Sequence, residues 1–226
     1  MKPDYLDLMM AESRDLADLL GTLTPEQWDG PTLCTGWRVR DVVSHMCVGH
    51  TMAVPAFGLA VARHGFRVAA TSATLARAYA DSHTSDQILA VFRACTQTPP
   101  RAAARFVPVP ELFTDHLVHH QDIRRPLQRP RQIPADRLVA ALQTLPGLSG
   151  RVGSTRRLAG LRLVATDVEH TVGDGPREVR GPAEALVMAL TGRRAALTDL
   201  DGDGLPTLVD RLPPAPRRRP TTDVQH

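Results

Sequence analysis

Asp115-His116-Leu117-Val118-His119-His120-Gln121-Asp122 is the stretch that decides how this chain is read. Titratable residues alternate there with Leu117 and Val118, between apolar Leu112 and Ile123, and the pattern predicts a helix from about Pro110 to Arg124 that Pro126 closes. On a helix, Asp115 and His119 stand one turn apart on one face. That spacing lets two ligands from one helix share a metal ion. A third must come from elsewhere, and His45, in Asp41-Val42-Val43-Ser44-His45-Met46, is the candidate. His116 and His120 also lie one turn apart, about 100° round the helix from the first pair, and are an alternative. Asp122 and Asp41 are candidates to hold the histidines from behind. The plain reading is that Asp115 and His119 form an exposed pair and His45 is an ordinary polar helix residue. Against it stand the apolar neighbours of both histidines, because a buried histidine without a partner is costly.

Outward from this helix the chain reads as mostly helical. Leu6, Met9, Met10, Leu16, Leu19 and Leu20 recur at the helical period over residues 3–20, and Gly21 follows as a stop. Thr24-Pro25 opens a short helical turn to Trp28, and residues 30–36 form a loop. A helix starting near Trp37 carries His45 and is expected to run to about residue 63, kinked or interrupted at Pro55. Another is expected at 85–97 with Ser85 as its cap, and one from Pro134 through Leu145. After residue 150 the pattern changes. Leu161, Leu163 and Ala165 alternate as in a strand, residues 171–176 have turn chemistry, and Glu178-Val179-Arg180 is expected to return as a second strand. Pro182 then opens a helix that Gly192 ends. The expected layout is a helical bundle over 1–148, a small α+β domain over 149–212, and a disordered Pro- and Arg-rich tail over 213–226.

Composition narrows the function classes. A chain of 226 residues with 42% hydrophobic content can bury a real core, and at 4% aromatics that core must be mostly Leu, Val and Ala. No run of eighteen apolar residues predicts a membrane span, and the start lacks a signal-peptide layout. Cys34, Cys47 and Cys95, without CxxC spacing, fit a reducing cytoplasm better than a disulfide framework. Lys2 is the only lysine among 27 basic residues, a bias that suggests a GC-rich genome; the net charge is +3, and the arginines are too scattered for nucleic acid. Asp199-Leu200-Asp201-Gly202-Asp203-Gly204 imitates half of a calcium loop, but Pro206 and Asp210 stand where it needs a branched apolar residue and Glu, so a polar turn before a short helix is expected. Cys34 has no basic partner visible in the sequence to activate it.

Residues 28–46, Trp28-Asp29-Gly30-Pro31-Thr32-Leu33-Cys34-Thr35-Gly36-Trp37 through His45-Met46, resemble the opening signature of the mycothiol-dependent maleylpyruvate isomerase family. Asp115 to Leu127 resembles the family's second signature, and residues 160–193 its smaller C-terminal domain. The resemblance implies a DinB-like, up-down-down-up four-helix bundle followed by a small α+β domain. It implies a divalent metal, zinc in the first instance, held by His45, Asp115 and His119, with mycothiol as thiol cosubstrate and a small electrophile as substrate. Isomerisation and thiol S-transfer are both open, and a non-catalytic metal-binding bundle with a regulatory or stress role is the alternative. Arg193 is the candidate to hold a substrate carboxylate; its competing role is that of a cation at a helix C-terminus. A cytoplasmic monomer or weak dimer of actinobacterial origin is expected. Two departures stand out: Asp115 replaces a Glu, and Gln128 stands where Gly is frequent.

Overall fold

The computed structural model describes residues 3–100, 107–148 and 153–214. Helix α1 spans Tyr5–Leu20, starts at the Asp4 side chain, which accepts from the Leu6 and Asp7 N–H groups, and ends at Gly21. Helix α2 is the short Pro25–Trp28 turn, closed by a reciprocal Thr24/Gln27 capping box. The helix carrying His45 is interrupted, not merely kinked: α3 covers Val39–Thr51, Met52 and Ala53 are extended, and α4 resumes at Val54–Arg63 with Pro55 in its first turn. Proline is tolerated there because the first-turn N–H groups have no helical partner.

Helix α5, Val68–Ser82, has no counterpart in the sequence reading. Only Thr71, Ala76 and Ala80 are buried on it, so it has no stripe of large apolar residues to betray it. It packs along α3 through these small side chains. Helix α6, Ser85–Cys95, takes in Ser85 and ends two residues sooner than expected, and Thr84, not Ser85, accepts from the Gln87 N–H as its cap. Helix α7, Val109–Arg124, carries the opening motif. Helix α8 spans Ala135–Thr144 and passes into a 3₁₀ turn at Leu145–Gly147. Helices α1, α3, α6 and α7 form the bundle, with α1 against α7 and α6, and α3 against α6 and α7.

After the short α9, Ser154–Leu158, come β1 (Leu161–Ala165), β2 (Thr171–Val172) and β3 (Arg177–Gly181) in the spatial order β2-β1-β3. The expected return strand is therefore not a hairpin partner. β3 pairs parallel to β1, Leu163 opposite Val179, and the segment read as a turn supplies β2, antiparallel through Leu163 and Val172. Leu161, Leu163 and Val179 point inward, as the period of two requires, and are covered by α10 (Ala183–Leu190). One apolar core joins this sheet and α10 to Met9 of α1, Phe113 and Leu117 of α7, and Leu138 and Leu142 of α8. A second fills the bundle around Leu16, Leu20, Val43, Ile88 and Phe92. Asp201 to Gly204 forms the expected polar turn before α11, Leu205–Arg211: Asp203 accepts the Glu178 N–H and Asp201 bridges to Arg180. Among the described residues no helix is long and apolar enough to cross a membrane. The tail beyond residue 214 and the boundary at 149–152 lie outside the described residues.

Candidate metal centre

Helix α7 explains the site. It is buried from Leu112 through Ile123 except at Asp115 and His116, so the polar residues among them must find partners inside the protein. His120 does so on one side. Its Nδ1 lies 2.7 Å from Oε1 of the fully buried Glu12, and its Nε2 accepts from Arg124 Nε at 2.7 Å. The arginine contact makes Nε2 the acceptor, so Nδ1 carries the proton of a neutral ring. Burial lowers the His120 pKa to about 4, in agreement. His116 Nδ1 shares a 2.7 Å hydrogen bond with Ser13 Oγ on α1. These two histidines tie α7 to α1 and do not form a ligand pair.

On the opposite face, His119 Nε2 lies 3.4 Å from Asp115 Oδ1, and the His45 ring of α3 meets the His119 ring edge-on with centroids 5.3 Å apart. One ligating atom from each of His45, Asp115 and His119 lies within 4.8 Å of the other two. Bonds of about 2.0–2.1 Å to a tetrahedral metal place donor atoms about 3.4 Å apart. The Asp115–His119 separation has that value without adjustment. Both imidazoles are also anchored through Nδ1: His45 to Ser72 Oγ of α5 at 3.0 Å, His119 to Asp122 Oδ2 at 2.9 Å. Each therefore has Nε2 left for a ligand, with the Nδ1 hydrogen bond fixing its orientation. The donor set fits a divalent cation that accepts imidazole and carboxylate.

The electrostatics set the two imidazoles apart. Burial holds the His45 pKa down to about 4, which leaves a neutral ring with a free lone pair. For His119, burial acts the same way but Asp115, Asp122 and Cys34 outweigh it and raise the pKa well above its ordinary value. Asp115 is open to water on one side, and His119 and His45 offset the burial penalty and hold its pKa low. His45, Asp115 and Arg193 line a cavity of about 460 Å³ whose walls include Met46, Phe57, Val68 and Leu112.

A second layer backs the triad. Asp122 is fully buried and receives four donors. Arg193 Nε and Nη2 reach its two oxygens at 3.0 and 2.7 Å, His119 Nδ1 donates to Oδ2, and the Cys34 thiol donates to Oδ2 at 3.1 Å. Arg193 sits here because Gly192, at φ +103, turns the chain past the end of α10, so that the Arg193 N–H returns to the Met188 carbonyl. Its Nη1 also donates to the Thr191 carbonyl at 2.9 Å, so it is both a cation at a helix end and part of the site. Cys34 arrives through the loop before α3. The Leu33 N–H donates to the Asp122 carbonyl, and a Cys34–Trp37 turn with Gly36 at φ +74 closes behind it. Asp41, by contrast, pairs with Arg38 at the start of α3 and does not reach His45. His50 shares a hydrogen bond with Thr98.

Sequence reasoning missed two contributors. Cys34 was set aside for want of a basic partner, which Arg193 supplies at 4.0 Å, across 159 residues of sequence. Its position inside the first signature was the available signal. Ser72 gave none, because the helix bearing it was not legible.

Fold and site together define a class of helical-bundle proteins with a small C-terminal sheet and a histidine–carboxylate–histidine cluster beside a cavity, a cluster that could hold a metal ion. The family model of the mycothiol maleylpyruvate isomerase N-terminal domain matches residues 9–124. The chain belongs to that family. Two solved structures share its fold. One is a point mutant of a mycothiol-dependent maleylpyruvate isomerase (TM-score 0.58, 13% identity, 88% of this chain and 92% of that one). The other is a further crystal structure of a mycothiol-dependent maleylpyruvate isomerase (TM-score 0.52, 12% identity, the same coverage). No curated protein matches the chain.

Proposed function

We propose that this chain is a mycothiol-dependent metalloenzyme in which His45, Asp115 and His119 hold a divalent metal and a small electrophile is isomerised or conjugated to the thiol. The observation that carries this reading is the Asp115–His119–His45 cluster at the wall of a cavity, with both histidines anchored through Nδ1. A bound divalent metal with an open position would stabilise the thiolate form of a thiol cosubstrate, the nucleophilic form. The chain's own residues do the rest. Asp122 fixes the His119 ring and keeps the Arg193 guanidinium in place. Arg193 lines the cavity and retains one free N–H, on Nη1, to steady a carboxylate or enolate oxygen of the substrate. Met46, Phe57, Val68 and Leu112 give apolar walls to the space in which the electrophile would sit.

The test is metal analysis of the purified chain, with His45→Ala and His119→Ala as controls, followed by a conjugation screen with mycothiol against other low-molecular-weight thiols. The reading expects stoichiometric metal in the wild type, its loss in both variants, and turnover specific to mycothiol. A wild type without stoichiometric metal refutes it. Metal without thiol turnover would favour a non-catalytic metal-binding protein.

A further inference from the structure

A second cavity, of about 630 Å³, opens at the C-terminal end of α7 and shares no lining residue with the first. Arg124, Arg125, Arg129 and Arg131 face it against two carboxylates, Asp167 and Glu184. Both carboxylates are engaged: Glu184 takes Arg125 Nε and Nη2 at 2.9 and 2.5 Å, and Asp167 accepts the Ala183 N–H at 2.8 Å. Arg131 is held by Glu12 and Asp15. Arg124 and Arg129 are left over. Arg124 donates only to neutral acceptors, His120 Nε2 and the Arg129 carbonyl, and the Arg129 guanidinium makes no hydrogen bond among the described residues. Burial and the nearby Arg131 and Arg129 push the Arg124 pKa down, and Glu12 and Asp15, which act in the opposite sense, do not offset them.

A strained residue stands beside these two arginines. Gln128 has φ +53, a left-handed conformation that favours glycine, and its side chain lines the cavity. Hydrogen bonds from the Gln128 N–H to the Arg125 carbonyl and from the Arg129 N–H to the Arg124 carbonyl, both 3.1 Å, hold the turn in this shape. These are the bonds of a Schellman-type helix end, which closes α7 and sets Gln128 at the wall of the charged cavity.

We propose that this cavity binds a small oxyanion, a carboxylate or a phosphate, between the guanidiniums of Arg124 and Arg129, with the Gln128 carboxamide as a further donor. The guanidinium fork suits either anion geometry, and the ligand would be the counter-ion that the two arginines lack. The cavity has room for a small organic body as well. The site is independent of the metal centre and of the function proposed for it.

Calorimetric titration of the full chain at low ionic strength tests the proposal, with inorganic phosphate in one arm and succinate in the other. The expected result is saturable one-site binding of at least one anion, weakened about tenfold or more in Arg129→Gln, which removes one charge-assisted contact. Arg124→Gln should act alike, and thermal melts identify any loss due to unfolding. Arg129 is exposed and joins the fold through its backbone alone, which Arg129→Gln keeps, so this variant keeps the test valid if Arg124→Gln is unstable. His45→Ala should bind as the wild type does. Phosphate alone, succinate alone, or both binding would name the ligand chemistry. No binding of either anion overturns the proposal, as does binding unchanged in Arg129→Gln or abolished in His45→Ala.

Discussion

Replacing Asp122 with Asn should weaken both the proposed metal centre and the fold, by separable amounts. The carboxylate accepts from His119 Nδ1, Cys34 Sγ and both arms of the Arg193 fork. Asparagine keeps one acceptor oxygen and turns an NH₂ toward donors that had faced the other. The His119 ring then loses a charged anchor, and loss of such a partner costs about 10–100-fold in metal affinity. The fold loses the counter-ion of Arg193, whose side chain is only 20% exposed. Breaking a buried ion pair from one side costs about 3–5 kcal/mol. Asp115 still attracts Arg193, so the lower end applies, about 3 kcal/mol, or a fall of about 6–12 °C in Tm for a chain of this size. Competition against a chromophoric chelator measures the first quantity, and urea unfolding at neutral pH the second. Metal affinity within about threefold of wild type would refute the anchoring argument. Undiminished stability would refute the ion-pair argument.

Acid should destabilise the protein in two overlapping windows. His120 has a folded pKa depressed by burial to about 4, so its contribution is intact above its ordinary value near 6.5 and is lost as pH falls toward 4. The Glu12 carboxyl is also depressed, because His120 and Arg131 outweigh its burial; that contribution holds above the ordinary value of 4.5 and fades below it. Urea midpoints measured from pH 7.5 to pH 3.5 should fall throughout, and Glu12→Gln should flatten the acid end; a flat wild-type profile contradicts the assignment. Gln128→Gly should stabilise by about 0.5–1 kcal/mol by relieving the left-handed conformation while weakening oxyanion binding, whereas a loss of stability would show that the turn is not strained. Gly175→Ala should cost more than about 3 kcal/mol in urea unfolding, since a Cβ there would fall 2.0–2.3 Å from the Gly160 and Leu161 backbone; a silent substitution would refute the close approach.

Much of the architecture was legible because local physics dictates it. The helical period wrote α1 and α7 into the chain, Thr24-Pro25 marked α2, and the alternation of Leu161, Leu163 and Ala165 marked β1. Helix α5 escaped because it packs through alanine and threonine, so burial leaves no periodic trace in its sequence. The parallel pairing of β1 with β3 escaped too, because alternation sets which face a strand buries and says nothing of its neighbours.

The site divides along the same line. The i,i+4 spacing by itself determined that Asp115 and His119 share a face, since that follows from the helix alone. Their meeting with His45, the anchoring by Ser72, and the convergence of Cys34 and Arg193 on Asp122 were decided only in the tertiary structure. Those contacts join residues from 27 to 88 positions apart in the chain. Side-chain type records what a residue can donate or accept; only the packing of helices and loops decides who stands opposite. That is why His116 and His120, chemically equal to His119, became ties to α1 instead.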